Sequence, residues 1–324
     1  MSAAKPILSL VVPVFGEAQV IGEFYRRLKI VIKGIQDELD SEIIFVDDGS
    51  QDSTAVLIRS FMAQDRSVKL VRLSRNFGHQ LAITAGIDHA HGDGIIIMDG
   101  DLQDPPETIV EMLARWRQGY KVVYGIRESR KGEHVLKLAT AKVFYRLIRR
   151  LSDVELPLDA GDFRLIDREV AEVLRTLREE NRYLRGMVSW CGFPQVGVPY
   201  QRDRRYAGKT KFSLKRMLRF AIDGILSFSD KPLKLTSYLG FVITAGSFLL
   251  GINMIIGKLV HPTQAISGWT SLIVVILFVG GVQLLSLGVM GLYIGRQYKE
   301  MKNRPLYVVA EKCGFEEPAA MPHP

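Results

Sequence analysis

The chain has 324 residues, of which 47% are hydrophobic and 24% charged. This balance excludes a disordered chain, a fibrous protein and a transporter built mainly of membrane spans. Only two cysteines are present, which excludes a disulfide scaffold and a cysteine-rich zinc module. The formal net charge of +8 favours an anionic partner, such as nucleic acid, anionic lipid or a phosphorylated substrate.

Short runs rich in Val and Ile predict strands in the first hundred residues: Leu8–Val14, Ile43–Val46, Val68–Leu73 and Ile95–Met98. Helical stretches lie between them, such as Ala18–Leu39 and Ser53–Gln64. This alternation predicts βαβ units around a buried, mostly parallel sheet. The predicted fold class is therefore α/β, in a first domain over residues 1–212.

Acidic motifs follow three of these strands: Glu17, Asp47-Asp48-Gly49-Ser50 and Asp99-Gly100-Asp101. Ligands of open parallel sheets bind at the carboxyl ends of strands. Several carboxylates around one crevice repel one another and require a cation or a hydrogen-bonding ligand. Asp47 and Asp48 are equally compatible with an ordinary turn before a helix.

The Asp99-Gly100-Asp101 motif has the spacing with which two carboxylates reach one divalent ion. Nucleotide diphosphate oxygens would complete the shell, and hard oxygen ligands suit Mg²⁺ or Mn²⁺. The prolines of the following segment 102–107 suit a helix start, with Asp104 as the N-cap. The sequence has no P-loop and no G-x-G-x-x-G fingerprint, which disfavours a P-loop kinase and a dinucleotide dehydrogenase.

Two stretches without Asp, Glu, Lys or Arg follow, Leu235–Gly257 and Leu259–Gly295. Each exceeds the roughly 20 residues needed to cross a hydrocarbon core. They predict transmembrane helices over residues 235–257 and 269–295; two buried soluble helices are disfavoured, because both stretches are uncharged on every face. Lysine and arginine cluster before the first stretch and after the second, which places both termini, including a tail at 296–324, in the cytoplasm.

A juxtamembrane region over residues 213–234 combines an apolar stripe with basic side chains. It predicts an amphipathic helix lying on an anionic leaflet. Packing of this stripe against the catalytic domain is the alternative.

Several motifs resemble those of family 2 glycosyltransferases: VVPVFGE (11–17), VDDGSQDST (46–54), RNFGH (75–79) and MDGDLQDPPE (98–107). DFRL (162–165) and R-x-x-GKTKF (205–212) resemble the polyprenyl-phosphate glycosyltransferases, the subgroup of dolichol-phosphate mannose synthase and the bacterial GtrB-like enzymes. The resemblance implies a GT-A fold and inverting transfer of a hexose from a nucleotide sugar to a polyprenyl phosphate. UDP-glucose is the preferred donor and GDP-mannose its nearest competitor.

The resemblance also implies roles for individual residues. The donor nucleotide sugar would be bound by residues of the strand-end loops: Pro13, Phe15, Glu17, Asp48, Asn76, Asp99, Asp101 and Gln103. The last three would also hold Mg²⁺ or Mn²⁺. Asp159 or Asp162 matches the family's catalytic aspartate, and the sequence does not decide between them. A structural pairing of that aspartate with Arg164 is the alternative.

A phosphate acceptor has a second pKa of about 6 and needs little help from a base. It does need cations to approach an anionic diphosphate. The candidates are Arg127, Arg205, Lys209 and, more weakly, Lys211. Because the acceptor is already anionic, the aspartate has two further possible roles: orienting the acceptor or stabilising positive charge on the sugar.

Two other classes of protein compete with this interpretation. A processive polysaccharide synthase would share the sheet, but the sequence lacks the Gln-x-x-Arg-Trp motif of those enzymes. A nonenzymatic membrane adaptor would explain the basic residues but not the acidic strand ends. The expected partners are a nucleotide sugar, a polyprenyl phosphate, membrane lipids and further copies of the chain through the membrane helices, and not nucleic acid.

Overall fold

The computed structural model describes residues 5–127, 160–201, 231–260 and 268–315. The chain divides into two compact units, one formed by 1–145, 154–216 and 305–324 and the other by 146–153 and 217–304. Asp159, Arg205, Lys209 and Lys211 lie outside the described residues, as does most of the expected amphipathic helix.

Within the described residues, one sheet contains eight strands: β1 Ile7–Val14, β2 Asp40–Asp47, β3 Val68–Leu73, β4 Gly94–Ile97, β5 Val122–Arg127, β6 Ala160–Asp167, β7 Gln195–Tyr200 and β8 Val309–Cys313. Their order is β7-β5-β6-β4-β1-β2-β3-β8. Strands β4, β1, β2 and β3 are mutually parallel, and β7 is parallel to β5. Strands β6 and β8 run antiparallel to their neighbours. The predicted α/β class is confirmed.

The helices of this unit are α1 Ile21–Ile35, α2 Thr54–Met62, α3 His79–His89, α4 Thr108–Arg117, α5 Arg168–Thr176 and α6 Leu184–Trp190. Helix α1 buries a stripe that includes Ile21, Phe24 and Leu28, the spacing of one helix face. Helix α3 lies very close to β1, as Gly86 shows: a Cβ at this position would be only 2.1 Å from Val11 Cγ1. This close packing fixes the helix whose first residue, His79, enters the site described below.

The second unit contains helices α7 Lys231–Val260 and α8 Trp269–Met301. Their apolar windows are Leu233–Leu250, with a mean hydropathy of 1.4, and Leu272–Met301, with a mean hydropathy of 2.6. Large apolar side chains on both helices are exposed; Phe241 and Leu284, for example, are each 73% exposed. Exposed apolar surface of this extent is stable only against lipid or protein. Both helices are long and apolar enough to span a bilayer.

The segment after α8 returns to the first unit. Its strand β8 pairs antiparallel with β3, and the Ser74 amide donates to the Val308 carbonyl at 2.9 Å. The Arg59 guanidinium donates through two nitrogens to Glu311, and the Tyr307 hydroxyl donates to Asp88. A five-residue strand that carries two charges has no distinctive pattern, so the sequence predicts only a tail here.

Candidate active site

The loops that follow β1 and β2 are held together by hydrogen bonds. The Gly16 amide donates to Ser50 Oγ and the Glu17 amide to Thr54 Oγ1, both at 3.0 Å. Asp52 in turn accepts from the backbone and the hydroxyl of Thr54. The small polar residues of the 46–54 motif therefore build the wall of the crevice at the strand ends.

Asp48 connects this wall to the loop after β3. Its carboxylate is 3% exposed and accepts the amides of Phe77 at 2.7 Å and Gly78 at 2.9 Å. Burial raises the pKa of Asp48 despite these hydrogen bonds. Gly49 has a φ of +73°, and a Cβ there would lie 2.6 Å from the Arg75 carbonyl carbon. The structure thus gives Asp48 a scaffolding contact; nucleotide binding by this residue stays a prediction.

The predicted metal ligands lie on one tight turn after β4. Gly100 packs on β1, where a Cβ would lie 3.0 Å from Val14 Cγ1. Leu102 adopts a φ of 60°, although it is not a glycine, and its side chain is 3% exposed. Such a conformation costs energy and persists only where the surroundings enforce it. In this turn the backbone N–H of Gln103 donates to Asp101 Oδ1 at 3.1 Å.

An acidic crevice, defined here as Asp99, Asp101, Asp104 and Asp162, opens beside this turn. Burial raises the pKa of Asp99 to about 6, and the other three carboxylates add to the shift. Asp99 is still 30% exposed, so a ligand can reach it. Carboxylates grouped in this way are stabilised by cations, either neighbouring side chains or a bound metal ion.

The His79 imidazole lies between two of these carboxylates. Its Nε2 is 3.4 Å from Asp99 Oδ1 and 3.3 Å from Asp162 Oδ2. Burial by itself would lower the pKa of His79, but the two carboxylates raise it to about 9. The sequence assigns no role to His79, because only the resemblance of the RNFGH motif points to it.

Asp162 is held by several donors. Arg185 Nε donates to Oδ1 at 2.8 Å, and Gln80 Nε2 donates to Oδ2 at 3.2 Å. Although burial opposes ionisation, His79 and Arg185 hold the pKa of Asp162 well below its ordinary value. Arg164 is buried and donates to the Gly161 carbonyl at 2.9 Å. Its pairing with Asp159, which lies outside the described residues, stays a prediction. The sequence of helix α6 contains no motif that marks Arg185.

Arg127 lies at the far end of the crevice, where β5 ends. Its Nε donates to the Tyr200 hydroxyl at 3.1 Å, and that hydroxyl donates to Asp104. The prediction that Asp104 caps helix α4 is wrong, because the N-cap is Glu107 and the Asp104 carboxylate is buried beneath Tyr200. A tertiary partner 96 residues away has replaced the expected local one.

The remaining donor-site candidates differ in exposure. Phe15 is 46% exposed and Asn76 is also exposed, whereas Pro13 is buried in β1. Glu17 is half-buried, and its carbonyl accepts the amides that begin helix α1. Phe15 and Asn76 are thus the members of this set with the most freedom to contact a ligand.

The residues of the turn fit a divalent metal. In the described parts of the chain, no three His, Cys, Asp or Glu side chains form a complete metal cage. Mg²⁺ sites commonly use only one or two carboxylates and take further oxygens from substrate phosphates. Asp99 and Asp101, with the side-chain amide oxygen of Gln103, would supply such a partial set of hard ligands.

An open α/β sheet with a charged crevice at the ends of its parallel strands is the arrangement of a ligand-binding α/β enzyme. The family Glycosyl transferase family 2 matches residues 9–175, which include most of β1, strands β2 to β6 and the acidic crevice. The chain belongs to this family, and it is a glycosyltransferase. The family predicted from the motifs is confirmed.

Similarity extends beyond the family domain. The uncharacterized glycosyltransferase YkcC of Bacillus subtilis is 49% identical over 308 residues, with 95% of this chain and 94% of that protein covered. The bactoprenol glucosyl transferase of Shigella phage SfII is 41% identical over 304 residues, with 93% and 97% covered. A solved structure, the mannosyltransferase PcManGT of Pyrobaculum calidifontis with GDP-Man and Mn²⁺, has 16% identity, a TM-score of 0.49, and 93% and 89% coverage.

Proposed function

We propose that this glycosyltransferase moves glucose from UDP-glucose to a membrane polyprenyl phosphate, with inversion at the sugar. The main support for the proposal is that one chain combines the acidic crevice with two exposed apolar helices long enough to span a membrane. A relative that is 41% identical and named bactoprenol glucosyl transferase supports both the sugar and the lipid acceptor. GDP-mannose is the alternative donor.

The donor would be held at the turn after β4. Asp99, Asp101 and Gln103 would bind Mg²⁺ or Mn²⁺ together with the diphosphate. When bound, the metal supplies a Lewis acid that neutralises charge on the leaving diphosphate. Phe15 and Asn76 are exposed at the rim and would contact the nucleotide, while Pro13, Glu17 and Asp48 would shape its site.

Asp162 would act as a fixed negative charge. Its pKa lies well below the ordinary value, so it holds its proton too weakly to serve as a base of matched pKa. A phosphate acceptor is itself anionic and does not require one. The ionised carboxylate would instead orient the reactants and stabilise positive charge that develops at the anomeric carbon. Asp159 remains a second candidate for this role.

The acceptor phosphate would be bound by cationic side chains. Arg127 is the described member of this set, and its side chain is 32% exposed. Arg205, Lys209 and Lys211 would complete it. Arginine suits a phosphate because its planar fork offers two parallel hydrogen bonds.

The membrane arrangement follows from charge. We propose that α7 and α8 form a hairpin with both chain termini and the catalytic domain in the cytoplasm, as the positive-inside rule requires. The region over residues 213–234 would lie on the leaflet, and copies of the chain would associate through the membrane helices. In this arrangement membrane lipid would be a partner of the chain, and no nucleic-acid partner is expected.

The test is sugar transfer by the full chain reconstituted in vesicles that contain undecaprenyl phosphate. Radiolabelled UDP-glucose and GDP-mannose are supplied separately, and label is measured in the organic-extractable lipid. Lipid label from UDP-glucose supports the proposal, and label from GDP-mannose alone overturns the donor. A polymeric product indicates a synthase. Absence of transfer from either donor, with the chain folded, contradicts the proposal.

A further inference from the structure

We propose that Tyr200 is a positioning residue that aligns Arg127 for the acceptor phosphate and connects it to the donor loop through Asp104. This inference rests on the proposed function, since it assumes that Arg127 meets the acceptor. Tyr200 was not a candidate from the sequence, and no motif includes it.

The side chains of Arg127, Tyr200 and Asp104 form a connected chain from the ends of two strands to the loop before α4. Arg127 and Tyr200 are register partners at the ends of β5 and β7, and Arg127 Nε donates to the tyrosine hydroxyl at 3.1 Å. The hydroxyl gives its own proton to Asp104 Oδ1. Arg127 Nη2 lies 3.9 Å from the same oxygen. Asp104 follows directly on the turn that carries Asp101 and Gln103.

Tyr200 is held rigidly. Its ring meets Phe163 edge-on, with centroids 5.6 Å apart and an interplanar angle of 87°. The ring also covers Gly125, where a Cβ would come within 2.7 Å of the ring atom Cε1. The residue is only 5% exposed. A fixed hydroxyl therefore sets the direction of the Arg127 side chain.

The Arg127 side chain is also confined by Gly161. A Cβ on Gly161 would lie 2.8 Å from Arg127 Nη2, so only glycine leaves space for the guanidinium. A guanidinium carries five N–H donors. Among the described residues its Nε donates to Tyr200, and its side chain is still 32% exposed, so a ligand can reach it. The arrangement pre-orients the fork before the phosphate binds, which reduces the entropy cost of binding.

The contacts of Tyr200 also connect the proposed acceptor site to the proposed donor site. Tyr200 bonds simultaneously to the arginine proposed for the acceptor and to the aspartate that continues the donor turn. A shift of the turn when donor and metal bind would move Asp104, and Tyr200 would transmit that shift to Arg127. The hydroxyl, rather than the ring, carries this connection.

The Tyr200→Phe variant removes only the hydroxyl and keeps the contacts with Phe163 and Gly125. In the reconstituted full chain we expect the KM for polyprenyl phosphate to rise about tenfold, the scale of one hydrogen bond to a charged group. The KM for the nucleotide sugar should stay within about twofold, because the turn ligands are unchanged. The matched control is Tyr124→Phe, the same change on β5, which we expect to match the wild type.

A second variant separates positioning from general packing. In the Arg127→Ala background, adding Tyr200→Phe should not raise the acceptor KM further, because the group that it aligns is already absent. An unchanged acceptor KM in Tyr200→Phe alone, or fully additive effects in the double variant, overturns the inference. Equal loss of donor and acceptor affinity, with a lowered thermal midpoint, also overturns it and indicates a structural role. Failure of the wild type to label lipid would instead contradict the proposed function.

Discussion

Asp162 and Arg185 form a two-point ion pair in the acidic crevice, with Nε 2.8 Å from Oδ1 and Nη2 3.2 Å from Oδ2. The carboxylate is 12% exposed and the guanidinium 29%. Bidentate pairs of this kind fix orientation as well as charge. The pair therefore determines where the negative charge proposed to act on the sugar points.

Replacing Arg185 by lysine should lower kcat about 10- to 100-fold, with little change in donor KM. A lysine ammonium keeps the charge but cannot reproduce the planar fork, so Asp162 loses its alignment. Steady-state transfer kinetics measure the effect. Arg178→Lys is the control, because Arg178 is half exposed and pairs with Asp88 away from the crevice. An Arg185→Lys enzyme with wild-type kcat would show that alignment of Asp162 is not required.

Asp101→Asn should lose at least about 99% of transfer while the thermal midpoint stays close to that of the wild type. The neutral amide binds a hard divalent cation more weakly than a carboxylate does. Chelation should likewise stop transfer by the wild type, and added Mg²⁺ or Mn²⁺ should restore it. The control is Asp37→Asn, at an exposed position outside the crevice. Full activity in excess chelator would rule out the metal assignment.

Glu42→Gln should destabilise the α/β unit by about 1.5–3 kcal/mol at pH 7, the range for hydrogen bonds to charged groups. Glu42 is 6% exposed and accepts from Ser9, Lys69 and the His91 amide. Burial opposes ionisation, yet these donors hold the pKa of Glu42 below 4.5.

The pH dependence of that variant has a definite sign. A carboxyl with a lowered folded pKa contributes stability above its unfolded pKa and loses it as pH falls through the folded pKa. The difference in the free energy of unfolding between wild type and Glu42→Gln should therefore have its largest value above about pH 5 and become smaller as the pH falls below 4.5. Urea midpoints of the detergent-solubilised chain measure it. A difference that grows on acidification would contradict this account.

A chain ending after Arg304 should have a lower thermal midpoint and aggregate more readily than the full chain. It loses the backbone hydrogen bonds of β8, each worth about 0.5–1.5 kcal/mol net, and leaves β3 as a bare edge. The control is a chain ending after Phe315, which keeps β8 and the contact of Tyr307 with Asp88. Equal midpoints for the two truncations would show that β8 adds no stability.

Sequence patterns were sufficient for the fold class and for the position of the crevice. The predicted strands at 8–14 and 68–73 match β1 Ile7–Val14 and β3 Val68–Leu73 closely. The carboxylates of Asp99 and Asp101 follow β4 as expected. These features depend on local hydrophobic period and on turn residues next to strands, which a single sequence displays directly. The two long uncharged stretches similarly determine α7 and α8.

Only the tertiary structure decided which groups these residues contact. Asp162 pairs with Arg185, 23 positions away, and Asp104 accepts from Tyr200 rather than capping a helix. Asp48 is buried against the amides of another loop. A carboxylate takes whichever donors the fold brings within about 3 Å, and those donors come from distant strands and helices. Local pattern supplies the charge at the strand ends, whereas packing selects its partner.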